Sequence, residues 1–188
     1  MPPKVQITRE MVLNAAFDVV RAEGHERLNA RRIAERLGCS TQPVLYNFKT
    51  VDEIREAVYK LADEYHTKYI LPEKADGPSP MLSLGLSYIR FGHEERHLFR
   101  FLFQTNSFGS LDVDALLRDE RLSPVLSIVA EGLGCDLEKA RELFLVFFAA
   151  VHGYASLLAN NAMEYDEKQS VKMLETMYQE PVLYVPDV

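Results

Sequence analysis

The sequence contains one stretch whose residue types and spacing could perform catalysis. His93, Glu94 and His97 form the pattern H-E-x-x-H. On a continuous helix this spacing puts two imidazoles one turn apart, where they can bind zinc while the glutamate activates a water molecule. The sequence offers no evident third ligand, and a solvated helix end explains the same residues. A zinc peptidase stays open as an alternative, but we expect no catalytic residue, no metal site and no cofactor.

A second group of side chains suits recognition of nucleic acid. Gln42, Tyr46 and Lys49 share one face of a predicted helix. The opposite, inward face carries Ser40, Val44 and Phe48. Glutamine can pair with an adenine edge, the tyrosine hydroxyl can reach a phosphate, and lysine adds a cation. An ordinary helical hairpin inside an all-helical protein would show the same pattern, so the pattern alone does not decide between them.

Local signals around this face predict a helix-turn-helix over residues 29–50. Asn29 is a favourable N-cap for the first helix, and Gly38 allows that helix to end in a left-handed conformation. Pro43 falls in the first turn of the second helix, where a missing N–H costs nothing. The second helix is therefore expected to present its outer face to a DNA groove.

The flanking segments predict a support for this motif. Thr8 caps a preceding helix that ends at Gly24. Thr50 and Glu53 form a capping box that begins a long helix ending near Leu71. A stretch rich in proline, residues 72–80, has the composition of a linker and marks the predicted domain boundary.

Charge divides the chain unevenly. Residues 1–60 carry a net charge of +2 and the remainder carries −9, within a total of −7 over 188 residues. Contact with DNA is therefore expected only in the N-terminal part. Cys39 and Cys135 are far apart with no secretory signal ahead of them, which favours a reduced, cytoplasmic protein. The longest apolar runs are interpreted as too short to span a membrane.

The rest of the chain reads as helices, so the predicted fold class is all-α. Helices are expected over 81–107, from Asp112, after Ser123-Pro124, from Asp136 to about Asn160, and after Asp166. Aromatic residues in these helices could line a pocket for a small molecule, or could simply be core. The candidates are Tyr88, Phe91, Phe99, Phe103, Phe148, His152 and Tyr154, with His152 as the best polar anchor.

Residues 7–58 resemble the DNA-binding domain of the TetR family of bacterial repressors. The features that carry the resemblance are, in order, Thr8, Ala15-Ala16, Gly24, Ile33-Ala34, Leu37-Gly38, Ser40, Phe48 and the capped fourth helix. Residues 91–99 and the tripeptide Val151-His152-Gly153 are similar to the C-terminal domain of a subgroup named for a Trp-His-Gly motif. Valine stands here where that motif has tryptophan.

The resemblance implies roles for individual residues. Base-reading residues fall at Arg31, Thr41 and Gln42, and phosphate contacts fall at Tyr46, Lys49 and the helix start at Thr50, while Thr8 could touch the DNA backbone. The family's usual tyrosine and lysine are replaced by Leu45 and Val51. Tyr46 is expected to take over the first contact, and Lys49 or the bare helix N-terminus the second.

The resemblance also implies an organisation. Residues 1–50 would bind DNA, 51–71 would connect, and 81–188 would bind a ligand and form a homodimer through helices at about 137–160 and 166–179. The two DNA-binding parts of the dimer, each called a head (residues 1–50), would then bind a near-palindromic operator. An unidentified small-molecule effector would release the heads from the DNA. The expected protein is a ligand-released repressor without enzymatic activity or a membrane partner. A ligand-binding protein that has lost DNA binding is the remaining alternative.

Overall fold

The computed structural model describes residues 6–71, 79–105 and 117–179, and within these ranges it is all-helical. The α-helices are α1 (Arg9–Glu23), α2 (Ala30–Leu37), α3 (Thr41–Asn47), α4 (Val51–Ile70), α5 (Pro80–Glu94), α6 (Arg96–Phe103), α7 (Ser123–Leu133), α8 (Leu137–Ala159) and α9 (Glu167–Gln179). Short 3-10 helices cover His25–Arg27 and Glu120–Leu122. The all-α class predicted from the sequence is confirmed.

Helix starts follow the predicted caps. The Thr8 hydroxyl accepts a hydrogen bond from the Met11 amide at 3.2 Å, and the Asn29 side chain accepts one from the Arg32 amide at 3.0 Å. Asp136 caps α8 through the Lys139 amide at 2.9 Å. Each cap satisfies a backbone donor that the first turn of a helix leaves without a partner.

The chain forms two compact units. The first comprises residues 1–66 and 95–107, and the second comprises 67–94 and 108–188. This division by contacts runs through α4 and between α5 and α6, rather than at the linker predicted over 72–80. Residues 72–78 of that linker, and the helix expected from Asp112, lie outside the described residues. The functional assignment of the three sequence segments stays a prediction.

In the first unit, α1 contacts α2, α3 and α6. The α1 side chains Val12, Ala16 and Val20 are fully buried. Glu95, which precedes α6, has a buried carboxylate that accepts hydrogen bonds from both Arg21 of α1 and the Tyr65 hydroxyl of α4. The hydrogen bond to Glu95 also raises the pKa of the Arg21 guanidinium. A buried carboxylate therefore joins three helices.

In the second unit, α5 packs against α7, α8 and α9. A Cβ atom added at Gly92 of α5 would lie 2.8 Å from the Ala155 carbonyl oxygen and 2.9 Å from its Cβ, both in α8. Because no real Cβ makes such contacts, glycine is required for the two helix backbones to approach this closely.

Helix α8 differs from a core helix in its exposure. It has 23 residues and is long and apolar enough to cross a membrane by length and composition, yet only 28% of its most apolar window is buried. Polar and charged residues interrupt the apolar residues of α8, so its continuous apolar runs are short, as expected, and it meets the requirement only by helix length and average composition. Most of its apolar surface is therefore uncovered in the single chain.

We predict that Gly92→Ala lowers the free energy of unfolding by about 1–3 kcal/mol, because the new methyl group meets a backbone carbonyl that cannot move aside. Denaturant unfolding followed by circular dichroism measures this change. Glu131→Ala, at an exposed position of α7, is the control and should change the free energy of unfolding by less than about 0.5 kcal/mol. Equal stability of the Gly92→Ala protein and wild type would contradict the close approach.

Candidate nucleic-acid interface

Helices α2 and α3 are joined by the predicted left-handed turn. Gly38 has φ 65° and ψ 33°, and the Cys39 amide donates to the Ala34 carbonyl at 3.0 Å. Helix α3 begins after Ser40 with Pro43 in its first turn. Ser40 is exposed and its side chain makes no capping hydrogen bond, so the prediction that it faces inward was wrong. An N-cap side chain lies outside the helical wheel from which that orientation was inferred.

Helix α3 is anchored by its inner face and by its last residue. Val44 and Phe48 are buried, as predicted. Asn47 donates from its side-chain nitrogen to the Pro43 carbonyl at 2.8 Å and to the Ile7 carbonyl at 3.1 Å. The second bond ties the end of α3 to the segment that enters α1, so α3 cannot rotate without breaking it.

The outer face of α3 is open to solvent. Tyr46 is 89% exposed and Leu45 is 47% exposed, and Thr41 and Gln42 are exposed as well. Large apolar or aromatic side chains this exposed on an ordered helix offer contact area to a partner. The face therefore combines an amide, two hydroxyls and apolar surface in seven residues.

The side chains predicted to touch phosphate lie at two helix starts. Lys49 and Thr50 are exposed directly before α4, and Thr8 is exposed directly before α1. Both threonine hydroxyls accept a backbone amide in a cap, at 3.1 Å for Thr50 and 3.2 Å for Thr8. Each hydroxyl keeps its own proton, which it can donate to a phosphate oxygen. The two starts are joined by Arg9, which donates to the Asn47 carbonyl and to Glu53.

Two predicted contacts differ in detail from the sequence expectation. The start of α4 is not bare, because Glu53 accepts a hydrogen bond from the Lys49 amide at 2.9 Å. Arg31 is exposed but its guanidinium is paired with Glu35 at 3.0 Å, which lowers the pKa of that carboxyl. Sequence reasoning missed the anchoring role of Asn47, for which only its position at a helix end was a signal.

The H-E-x-x-H stretch does not form one helical face. Helix α5 ends at Glu94, and Glu95 has φ −112° and ψ 42°, outside the helical region. His93 stacks on Tyr165 within the second unit, and His97 lies beside Gly24 within the first. No group of three potential metal ligands occurs among the residues that the structure describes. The helical geometry that the zinc interpretation requires is absent at this point.

The predicted pocket residues are distributed over both units. Tyr88, Phe148 and His152 are together in the second unit, where the Tyr88 hydroxyl and His152 Nδ1 are 2.9 Å apart. Burial raises the pKa of Tyr88 and lowers the pKa of His152, so both groups are neutral at pH 7. Phe91 packs on Tyr69, while Phe99 and Phe103 pack on each other in the first unit. Tyr154 is half-buried.

Comparison with known proteins places the chain in a family through its C-terminal part. Residues 81–178 match the family model described as "Tetracyclin repressor-like, C-terminal domain". No curated protein matches the sequence. The matched model does not single out the Trp-His-Gly subgroup, which stays a prediction.

Three solved structures share the fold along nearly the whole chain. A TetR-like transcriptional regulator from Rhodococcus sp. RHA1 has a TM-score of 0.63 at 16% identity, covering 95% of this chain and 96% of that one. A TetR-family member from Streptomyces coelicolor A3 has a TM-score of 0.57 at 23% identity, covering 92% and 98%. A multidrug binding protein, EbrR, complexed with imidazole, has a TM-score of 0.54 at 22% identity, covering 93% and 92%.

We predict stability effects of different size for two neighbours on α3. Asn47→Ala should lower the free energy of unfolding by about 1–2 kcal/mol, because it removes two hydrogen bonds from a half-buried site. Tyr46→Ala should change it by less than about 0.5 kcal/mol, because that side chain contacts solvent. Urea unfolding of both variants measures the difference, and a Tyr46→Ala protein as unstable as Asn47→Ala would contradict the exposed face.

Proposed function

Because the chain belongs to the tetracyclin repressor-like family of transcriptional regulators, we propose that it binds a specific DNA operator as a dimer and represses transcription until an effector binds. The observation that supports this most directly is the outer face of α3, where Gln42 and Tyr46 are exposed on a helix anchored by its buried inner face and its last residue. A rigid helix with exposed polar side chains fits a major groove. The fold gives no reason to propose an enzymatic activity.

We assign the contacts by chemistry. Gln42 and Thr41 read base edges from the start of α3, and Arg31 joins them when it exchanges Glu35 for a guanine or a phosphate. That exchange is feasible because exposed ion pairs contribute little to stability. Tyr46, Lys49, Thr50 and Thr8 hold the DNA backbone around the α3 helix and so position it.

The uncovered surface of α8 supports a homodimer. Val146 and Leu157 are 44% and 49% exposed on one side of this helix, and Leu137 is 48% exposed at its start. Along α9 an open depression of about 360 Å³ is lined by Gln169, Lys172, Met173, Thr176 and Met177. A second copy that covers both helices would bury this apolar surface in an isologous interface. The dimer would also present its two DNA-binding parts to the two half-sites of a palindrome. We place the protein in the cytoplasm, with α8 in the dimer interface and not in a membrane.

The cluster of Tyr88, Phe148 and His152 supports an effector site in the second unit. It combines aromatic surface with a hydrogen-bonded pair of neutral polar groups, which is a composition typical of small-molecule pockets. EbrR, a multidrug binding protein of similar fold, is complexed with imidazole. An effector that binds one head spacing more tightly than another would release the operator.

We predict that the dimer selects one family of near-palindromic sequences from a pool of random duplexes. Gln42→Ala should weaken binding to the selected duplex by roughly ten- to hundredfold, since a bidentate base contact is worth about 1–3 kcal/mol. Tyr46→Ala should weaken binding to all duplexes alike, because phosphate contacts carry no sequence information. Fluorescence anisotropy measures both, and Glu131→Ala, exposed on α7, is the control.

Salt-sensitive binding that is indifferent to sequence and to both substitutions would contradict the proposed function. It would instead favour a ligand-binding protein that has lost DNA recognition.

We predict that Leu157→Glu converts the dimer into a folded monomer, because two carboxylates would be placed in an apolar interface. Analytical ultracentrifugation at about 10 µM protein measures the mass, and circular dichroism reports the helical content. Ser127→Glu adds the same charge at an exposed position of α7 and should leave the mass unchanged. A Leu157→Glu protein that remains dimeric would place the interface elsewhere.

A further inference from the structure

The start of α4 is occupied by a carboxylate of the protein itself. Glu53 Oε1 accepts a hydrogen bond from Arg9 Nη2 at 2.8 Å, and Oε2 accepts one from the Lys49 amide at 2.9 Å. The hydrogen bond from Arg9, followed by that from Lys49, lowers the pKa of Glu53. The carboxylate is therefore negatively charged at neutral pH, on the face that carries the predicted phosphate contacts.

Arg9 is held at this site from three directions. One of its nitrogens donates to Glu53, another donates to the Asn47 carbonyl, and the guanidinium lies 3.8 Å from the centre of the Phe48 ring. Its side chain is nevertheless 55% exposed, and that of Glu53 is 37% exposed. A cation fixed in place but open to solvent is suited to meet a second anion.

Two donors thus converge on two carboxylate oxygens in the way they would converge on two oxygens of a phosphate. A guanidinium and a backbone amide at a helix start are both common phosphate ligands. In the absence of DNA, both donors are hydrogen-bonded to the carboxylate of Glu53. A phosphate that approaches Arg9 and the Lys49 amide finds both donors already paired with the negatively charged carboxylate of Glu53.

We propose that Glu53 competes with DNA phosphate for Arg9 and the Lys49 amide, and thereby weakens binding to duplexes of every sequence. This inference rests on the proposed function, in which this face meets DNA. Because phosphate contacts carry no sequence information, the competition lowers the affinity that charge alone can supply. The head then depends on the base contacts of α3 to reach a tight complex.

Glu53→Gln tests the competition because it removes the charge and keeps an oxygen for the capping box, in which glutamate and glutamine are both accepted. Asp52→Asn is the matched control. It removes the same charge from the adjacent exposed residue, whose carboxylate accepts no hydrogen bond from Arg9 or Lys49 in the described structure. The probe is a fluorescent 30-base-pair duplex of arbitrary sequence, titrated between 50 and 300 mM salt.

Glu53→Gln should bind this duplex roughly fivefold or more tightly than wild type at 0.1 M salt, with a salt slope steeper by about 0.9 for each head in contact. Asp52→Asn should give less than half of that gain. In an Arg9→Gln background the substitution of Glu53 should give no gain, since the cation it releases is gone. Thermal unfolding of each variant establishes that it is folded.

Three results would overturn the inference: wild-type affinity and slope for Glu53→Gln, an equal gain for Asp52→Asn, or a gain that persists without Arg9. The same titration with a duplex selected from the random pool separates this failure from that of the proposed function. If wild type prefers the selected duplex and Glu53→Gln changes nothing, only the competition is wrong. If no variant prefers any sequence, the proposed function itself fails.

Discussion

The carboxylate of Glu95 is the point on which the first unit depends. It receives the guanidinium of Arg21 from α1 and the hydroxyl of Tyr65 from α4, at the position where α6 begins. Arg21 also lies 5.1 Å from the Tyr65 ring centre. Burying a charge is costly unless such partners surround it, so any arrangement of the three helices that separates them is disfavoured. The carboxylate therefore selects one orientation of α1, which is the platform for α2 and α3.

The candidate interface is rigid because side chains nearby in the fold form hydrogen bonds with the backbone groups at its helix ends. Thr8, Asn29 and Thr50 cap three helices of the first unit, and Asn47 closes α3 against the chain before α1. Side chains that cap helices are fixed in place, so the exposed groups beside them are presented without a large loss of conformational entropy on binding. Tyr46 and Gln42 can be exposed on α3 because other residues hold the helix.

Local features of the fold could be predicted from the sequence, and distant partnerships could not. Thr8, Gly38 and Asp136 cap helices through hydrogen bonds to residues only a few positions away. Their residue types therefore predict where helices begin or end. The pair of Arg21 and Glu95 spans 74 residues, and nothing in either segment indicates the other. Phe99 and Phe103 show the same limit, because aromatic composition predicts burial but not the unit in which a ring is buried. For the outer face of α3, the helical wheel sufficed for Gln42 and Tyr46 but failed for Ser40 at the cap.

Gly92 lets α5 and α8 touch through their main chains, and this gives the second unit a mechanical property. Side chains between helices can change rotamer and absorb a displacement, whereas main-chain atoms that leave no room for a Cβ atom cannot. The hydrogen bond between Tyr88 and His152 lies one turn away from that contact, on the same two helices. At Gly92 no side chains lie between the two helices to absorb a displacement. If Tyr88 and His152 were pushed apart, α5 and α8 would therefore have to tilt as rigid bodies. A small displacement at one end of such a rigid helix becomes a larger one at the other.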